Sequence, residues 1–271
     1  MNTDSSFRLI DAHVHAPPDS LSASGAAAWL DIEASMAQAG PRQSVVVQFE
    51  REMSSTLNTV SWAEGMASVC AVAGWVDVTA PDIDASLDRV AWSAKFKSIA
   101  LPVFLEVDNH WLVTPDVLRG LKAVAERELA VDVRVEPRQL PSVGALAAAI
   151  PGLRIVVAHL GSPFIARSER EPWGVYMLNV ASHANVYIKL SGLPALDSIP
   201  WNVAHHRLYV ESIVRRFGYE RLMFGSDWPL GLELSTYQQV WDGALESAGP
   251  TTDLQRQQLT SLTARSFYGL S

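Results

Sequence analysis

The stretch FRLIDAHVHA, residues 7–16, carries the pattern on which the fold interpretation rests. Apolar residues such as Phe7 and Ile10 give it the start of a buried strand, and His13 and His15 follow at its end. Side chains at i and i+2 of a strand share a face, so both imidazoles are expected to project together from its C-terminal end. Imidazole binds divalent transition metals and also serves as an acid, a base or a hydrogen-bond donor. A lone His-x-His pair is often coincidental, so its meaning depends on the rest of the chain.

Strand-like and helix-like segments alternate along the rest of the chain. Apolar segments with the length of strands lie at residues 44–49, 72–78, 95–104, 129–137, 153–161, 185–192 and 221–229. About eight alternating units in 271 residues predict a (β/α)₈ TIM barrel that occupies residues 1–271 as one domain. A doubly wound open sheet is the structural alternative.

The composition narrows the classes of function. Hydrophobic residues make up 48% of the chain, enough for a large core, and the net charge is -8 with no cluster of Lys and Arg. Nucleic acid and anionic membranes are therefore not expected as partners, which leaves a small-molecule substrate. The single cysteine, Cys70, and the lack of a signal-peptide pattern or an apolar run of roughly 20 residues predict a soluble, cytoplasmic protein. The sequence leaves the oligomeric state open, a homo-oligomer included.

Alternation along the predicted strands indicates which side chains face the barrel interior. In residues 131–136 the valines share one face and suit the helix layer, so Asp132, Arg134 and Glu136 are expected to point inward. The same argument turns Lys189 and Ser191 inward.

On the second and third strands it turns Gln48, Trp75 and Asp77 inward. In TIM barrels the chemistry lies at the C-terminal ends of the strands, and Gln48 is the candidate among them for substrate contact.

Four residues form the main candidate site. His159 follows the sixth predicted strand and Asp227 the eighth, so both should converge with His13 and His15. Three imidazoles and a carboxylate can hold one divalent metal such as Zn²⁺ or Mn²⁺ with open positions for water and substrate. Without a metal, Asp227 can take a proton from water while the histidines stabilise an oxyanion. Taken singly, His159 could be a core histidine and Asp227 a helix cap.

Two cations are secondary candidates. A buried cation facing a pocket is costly unless it meets an anion or a polarised oxygen, so Arg134 and Lys189 are expected to contact substrate. The alternative is an internal ion pair, formed by Arg134 with Asp132 or Glu136 and by Lys189 with Asp77.

Five segments resemble the amidohydrolase-2 branch of the amidohydrolase superfamily, and within it the sugar-lactonase and 2-pyrone-4,6-dicarboxylate lactonase group. They run in order from Asp11 to Leu270: DAHVH, the segment from VDVRVEP to AHLGSP, NVYIKLSGL, RLMFGSDWP and ARSFYGL. The resemblance implies a TIM-barrel hydrolase that cleaves a lactone C–O bond. It also implies that His13, His15, His159 and Asp227 form the metal or catalytic set. The carbamylated lysine of binuclear relatives has no counterpart here, which argues against two metals.

Two positions depart from the pattern of the resembling family. Ala100 stands where relatives carry the arginine of a Gly-x-Arg motif, and Ala158 stands where they tend to have Asp before the histidine. Loss of the arginine removes an anchor for a polar substrate. A less polar lactone is therefore expected, with Trp228 as an apolar wall.

Three functions follow from these features. The first is hydrolysis of a small lactone, with Asp227 as general base, His13, His15 and His159 polarising the carbonyl, and Gln48, Arg134, Lys189 and Trp228 contacting the substrate. The second is a metal-dependent decarboxylase of an aromatic or unsaturated acid. The third is a barrel that binds a ligand without catalysis.

Overall fold

The structure, a computed structural model, describes residues 8–17, 23–197, 200–231 and 233–270. Its strands are β1 Ile10–Val14, β2 Gln43–Val47, β3 Val69–Gly74, β4 Phe96–Leu101, β5 Ala130–Val133, β6 Ile155–Val157, β7 Val186–Leu190 and β8 Leu222–Phe224. Each strand pairs in parallel with the next one along the chain. A parallel bridge between Val14 and Trp228 brings the two edges together. The barrel prediction is confirmed, and the open sheet is excluded.

Helices of the described ranges connect the strands. They are α1 Ala23–Ala39, α2 Met53–Glu64, α3 Ile83–Asp88, α4 Pro115–Glu126, α5 Leu140–Ala149, α6 Trp173–Ala181, α7 Leu193–Leu196, α8 Val203–Phe217, α9 Tyr237–Ser247, α10 Asp253–Gln257 and α11 Thr263–Tyr268, the last two joined by a π-helical turn at Gln258–Leu262. Among these helices, none combines the length and hydropathy that crossing a bilayer requires.

The strands are shorter than the apolar segments that predicted them. The segment 129–137 leaves the sheet after Val133, because Pro137 begins a 3-10 turn that Glu136 and Gln139 close with a capping box. The third predicted strand ends at Gly74 for a similar reason, since Asp77 accepts hydrogen bonds from the backbone and hydroxyl of Thr79. Phe7, the predicted start of the first strand, lies outside the described residues.

The barrel interior is built in layers. Next to the N-terminal ends of the strands lies an apolar layer that includes Ile10, Val45 and Met223, and α11 closes it with Phe267 and Tyr268. A second apolar layer between the strands and the helices takes the opposite faces. The C-terminal segment ARSFYGL therefore closes the barrel at the N-terminal ends of its strands.

Candidate active site

The four predicted residues meet at the C-terminal end of the barrel around one carboxylate oxygen. Asp227 Oδ1 lies 3.0 Å from Nε2 of His15, 3.4 Å from Nε2 of His13 and 3.7 Å from Nε2 of His159. Three of these side chains are buried, and His15 is half-buried, so the cluster faces the barrel mouth on its His15 side. The convergence expected from sequence is thus present in the structure.

A β-bulge in β1 turns His13 into the barrel. Asp11 pairs with Ser44 and Val14 with Val46, so three residue steps in β1 oppose two in β2. The carboxylate of Asp11 holds the bulge by accepting hydrogen bonds from the backbone N–H of His13 at 3.1 Å and of Ser226 at 2.9 Å. Asp11 therefore fixes the direction of His13 through its backbone, without a hydrogen bond to any side chain of the cluster.

Asp11 is also tied to α9 on the outside of the barrel. Its other oxygen accepts a hydrogen bond from the Tyr237 hydroxyl at 2.7 Å. Burial raises the pKa of Asp11 to about 6, and the hydrogen bonds from Ser226 and Tyr237 oppose that rise.

The orientation of His15 is set by a backbone carbonyl. Its Nδ1 lies 3.1 Å from the carbonyl oxygen of Val47, which can only accept, so Nδ1 carries a proton. In a neutral ring Nε2 is then unprotonated, and its lone pair faces the Asp227 carboxylate at 3.0 Å. Two acceptors at this distance need a proton or a cation between them. Nε2 of His15 and the Asp227 carboxylate are therefore suited to share a proton or to bind a metal cation.

Strained backbone positions the other two members. His159 has φ 53° and Asp227 has φ 65°, a region that side chains other than Gly seldom adopt. Asp227 donates its backbone N–H to the carbonyl oxygen of His13 at 2.8 Å. Ser191 holds His159 from the side, with its Oγ 3.1 Å from the backbone nitrogen and 2.9 Å from Nδ1.

Two glycines make room for the rings. At Gly225 an added Cβ would lie 2.5 Å from the Cβ of His13, and at Gly192 it would lie 2.6 Å from Nδ1 of His159. Both distances are shorter than van der Waals contact. The glycines of the KLSG and FGSD segments are therefore required by close approach of the histidines.

Burial keeps two of the imidazoles neutral. It lowers the pKa of His159 to about 4, although the charge of Asp227 opposes the change. The pKa of His13 is held well below its usual value by burial and by the nearby charge of Lys189. Burial alone would raise the pKa of Asp227, but His159, His15 and Arg134 together lower it. Near neutral pH the cluster thus has an ionised carboxylate beside two neutral rings.

The donor set fits one divalent metal ion. His13, His159 and Asp227 offer ligand atoms that all lie within 4.8 Å of one another, and Nε2 of His15 lies 3.0 Å from the same carboxylate oxygen. Nε2 of His13 is buried and has no hydrogen-bond partner among the described residues. A buried nitrogen of this kind is what a metal or a substrate oxygen satisfies.

A buried ion pair lies directly below the cluster. Lys189 on β7 donates to the carboxylate of Asp132 on β5, and neither side chain is exposed. Asp132 also accepts hydrogen bonds from Ser98 at 2.7 Å and from the Tyr268 hydroxyl at 2.8 Å. The Nζ of Lys189 lies 3.5 Å from Nδ1 of His13. Lys189 therefore supports the cluster from below.

The expected partners of the two cations need correction. Asp132 pairs with Lys189 and not with Arg134, which lies one residue beyond the end of β5. Asp77 is exposed in the loop after β3 and does not reach Lys189. Glu136 pairs with Arg138 outside the barrel, because the strand ends before it.

Arg134 is a second cation whose charge acts on the cluster. It is half-buried, and its guanidinium lies 4.4 Å from the ring centroid of Phe104. No carboxylate of the described residues forms an ion pair with it, while its charge lowers the pKa values of His13, His159 and Asp227. Arg134 is thus free to meet an oxygen of the substrate.

The structure does not bring Gln48 to the cluster. Its amide oxygen accepts hydrogen bonds from the Thr56 hydroxyl of α2 at 3.1 Å and from the backbone of Trp75 at 3.3 Å. The inward direction predicted for Gln48 is wrong, because Val47 and Phe49 occupy the inner face of this strand end. The alternation on this strand thus has the opposite phase to the predicted one.

Trp228 lies next to the cluster but is largely buried. Its carbonyl accepts the backbone N–H of His15 at 2.8 Å, and its ring packs edge-on against Tyr237. Only 6% of the residue is exposed.

Sequence reasoning missed the supporting roles of Asp11, Ser191 and Phe49. Asp11 and Ser191 stand within the quoted motifs, so the motifs themselves contained the signal. No motif in the sequence pointed to Phe49, whose only distinguishing feature is its position at the end of a predicted strand.

Comparison with known proteins identifies the family. An amidohydrolase family model matches residues 10–270. The L-fucono-1,5-lactonase of Burkholderia ambifaria is 35% identical over 200 residues, which are 74% of this chain and 69% of that protein. An amidohydrolase of Burkholderia multivorans, crystallised with HEPES and with zinc, superposes with a TM-score of 0.86 at 26% identity and covers 97% of this chain and 100% of that one.

A more distant structure supports the fold alone. A Pseudomonas putida protein whose name refers to 2-pyrone-4,6-dicarboxylic acid hydrolysis superposes with a TM-score of 0.77 at 21% identity, covering 97% of this chain and 98% of that one. The resemblance drawn from the sequence motifs is confirmed. The chain belongs to the amidohydrolase family.

Proposed function

We propose that this chain hydrolyses the ester bond of a small lactone. The observation that carries the proposal is the Asp227 carboxylate, which three imidazoles surround at the mouth of the barrel. The 35% identity to an L-fucono-1,5-lactonase supports a lactone as the substrate class. The single cysteine supports our expectation that the enzyme works in the cytoplasm.

The residues of the cluster suit general-base hydrolysis. Asp227 takes a proton from a water molecule, whose oxygen attacks the lactone carbonyl carbon. The developing oxyanion accepts hydrogen bonds from the imidazoles of His13 and His159, and Arg134 orients the same end of the ring. When the ring C–O bond breaks, the leaving alkoxide takes the proton back from Asp227. The product is the open hydroxy acid, and the carboxylate is regenerated.

A divalent metal fits the same residues. His13, His15, His159 and Asp227 would hold it, and it would supply Lewis-acid polarisation of the carbonyl. Arg134 keeps its role in either case, since it stands outside the donor set.

We expect purified protein to contain about one equivalent of zinc or manganese and His13→Ala to lose it, because this change removes a buried ligand nitrogen. Elemental analysis measures the metal independently of turnover. His110→Ala is the matched control, since His110 is exposed in the loop after β4. Protein that stays free of metal after growth with supplementation would contradict this expectation and leave the histidines alone to stabilise the oxyanion.

A panel of lactones and carboxylic acids tests the proposed function. We expect acid release from a lactone at constant pH, without formation of CO₂. Release of CO₂ from an aromatic or unsaturated acid would replace the proposal with a decarboxylase. Tight binding without turnover of any compound would indicate a ligand-binding barrel.

A further inference from the structure

Phe49 covers an apolar part of the barrel mouth beside the histidines. It follows β2, and its ring centroid lies 6.0 Å from that of His13 and 6.4 Å from that of His15. The ring is half-buried, so one part packs inward and another faces the mouth. Phe49 is therefore placed to contact whatever occupies the space in front of the histidines.

The surface beneath Phe49 is made of small apolar residues. Val47, Ala73 and Ala100, the inward residues near the ends of β2, β3 and β4, are buried and pack together with the Phe49 ring. Because the side chains of the two alanines are small, there is space for the Phe49 ring at the inner surface of the barrel. We call these four residues the Phe49 wall.

Polar groups of the same three strands are used elsewhere. Gln48 points to α2, as described above, and Ser98 donates its hydroxyl to Asp132 one layer deeper. Among the described residues of these strands, no hydrogen-bonding side chain is left to serve the Phe49 wall. An ionised group brought against this wall would lose its water without gaining a partner.

The β5 side of the mouth has the opposite character. Arg134 projects from the end of β5, and no carboxylate in the described ranges forms an ion pair with it. The candidate site is thus divided into a cationic side at β5 and a hydrocarbon side at β2–β4. A lactone that fits both sides presents its oxygens to Arg134 and a hydrocarbon substituent to Phe49.

We propose that Phe49 determines specificity by receiving an uncharged hydrocarbon substituent of the lactone ring. This inference rests on the proposed function and narrows it to neutral lactones with an alkyl group on the ring. The Phe49 wall attracts such a group by burying it and rejects a carboxylate by desolvation. An apolar pocket gains about 10-fold or more for each well-buried methylene.

Three substrates test the proposal: δ-valerolactone, a δ-lactone with an alkyl substituent, and 2-pyrone-4,6-dicarboxylate. We expect the wild-type protein to have at least about 10-fold higher kcat/KM on the alkyl lactone than on either other compound. In Phe49→Ala the ratio of alkyl to unsubstituted lactone should fall about 10-fold, mainly through KM. Phe49→Leu should restore most of that ratio, because leucine again supplies a hydrocarbon surface.

Trp92→Ala is the matched control, since it removes an exposed aromatic side chain that precedes β4, at the other end of the barrel. It should leave the substrate ratio unchanged. If Phe49→Ala lowers turnover of both neutral lactones equally, or if the wild type prefers the dicarboxylate, the role of Phe49 is wrong while lactone hydrolysis stands. If the wild type opens no lactone, the proposed function itself fails. If Phe49→Ala does not fold, Phe49→Trp takes its place. The larger ring should fill the space for the alkyl group and lower the substrate ratio. An unchanged ratio in Phe49→Trp would then contradict the inference.

Discussion

Asp227→Asn is expected to lower kcat for lactone opening by about 10²- to 10⁴-fold, the range that a general base contributes. The amide of Asn cannot accept the proton of the attacking water, whereas its shape and its hydrogen-bonding carbonyl remain. Steady-state kinetics on the lactone identified by the substrate panel measures the effect. Unchanged kcat would remove Asp227 from the mechanism.

Asn is the appropriate replacement because the backbone at this position is unusual. Asp227 has φ 65°, a region that Asn tolerates better than most residues, so the local turn should persist. Far-UV circular dichroism and thermal unfolding check that the fold is retained. Asp242→Asn is a suitable control, because Asp242 is exposed on α9 and its carboxylate contacts only Gln238 among the bonds described. It should leave kcat within experimental error.

The barrel and the centre of its site could be predicted because they follow from simple periodicity. Alternation of valines with polar residues predicts Asp132 inward on β5, and the same alternation predicts Lys189 inward on β7, where the two side chains meet. The pair of histidines at i and i+2 also share a face as predicted. On β5 and β7 regular backbone continues through these residues, whereas the two histidines reach the same side across the bulge in β1.

Irregular backbone explains what could not be predicted. The bulge in β1 changes the alternation between Asp11 and His13, and it is held by hydrogen bonds to Ser226, which is far away in sequence. Gln48 differs from the prediction in phase: Val47 and Phe49 take the inner face of β2 and its extension, so Gln48 turns outward to α2. Asp77 was assigned to a strand that in fact ends at Gly74. Such features depend on contacts between distant segments, which one sequence does not reveal.

Lys189→Met is expected to destabilise the protein by about 3–5 kcal/mol, the cost of breaking a buried ion pair by removing one partner. Lys189 and Asp132 are both fully buried, so the remaining carboxylate would have no countercharge at hydrogen-bond distance. Ser98 and Tyr268 would still donate to it, but neither carries positive charge. The free energy of unfolding, measured in urea at neutral pH, reports the loss. A loss below about 1 kcal/mol would mean that the pair contributes little.

The double variant Asp132→Asn/Lys189→Met separates loss of the pair from loss of the lysine itself. It leaves no charge at either of the two positions, so most of the stability lost in Lys189→Met should return, and the two changes should couple by at least about 2 kcal/mol. Additive losses would contradict the pairing and indicate that Lys189 acts through another anion. Besides Asp132, the described carboxylates whose charge acts on Lys189 are those of Asp11 and Asp227. Because unfolding is measured without substrate, coupling in this cycle can come only from the protein, and it would assign Lys189 to a stabilising ion pair with Asp132.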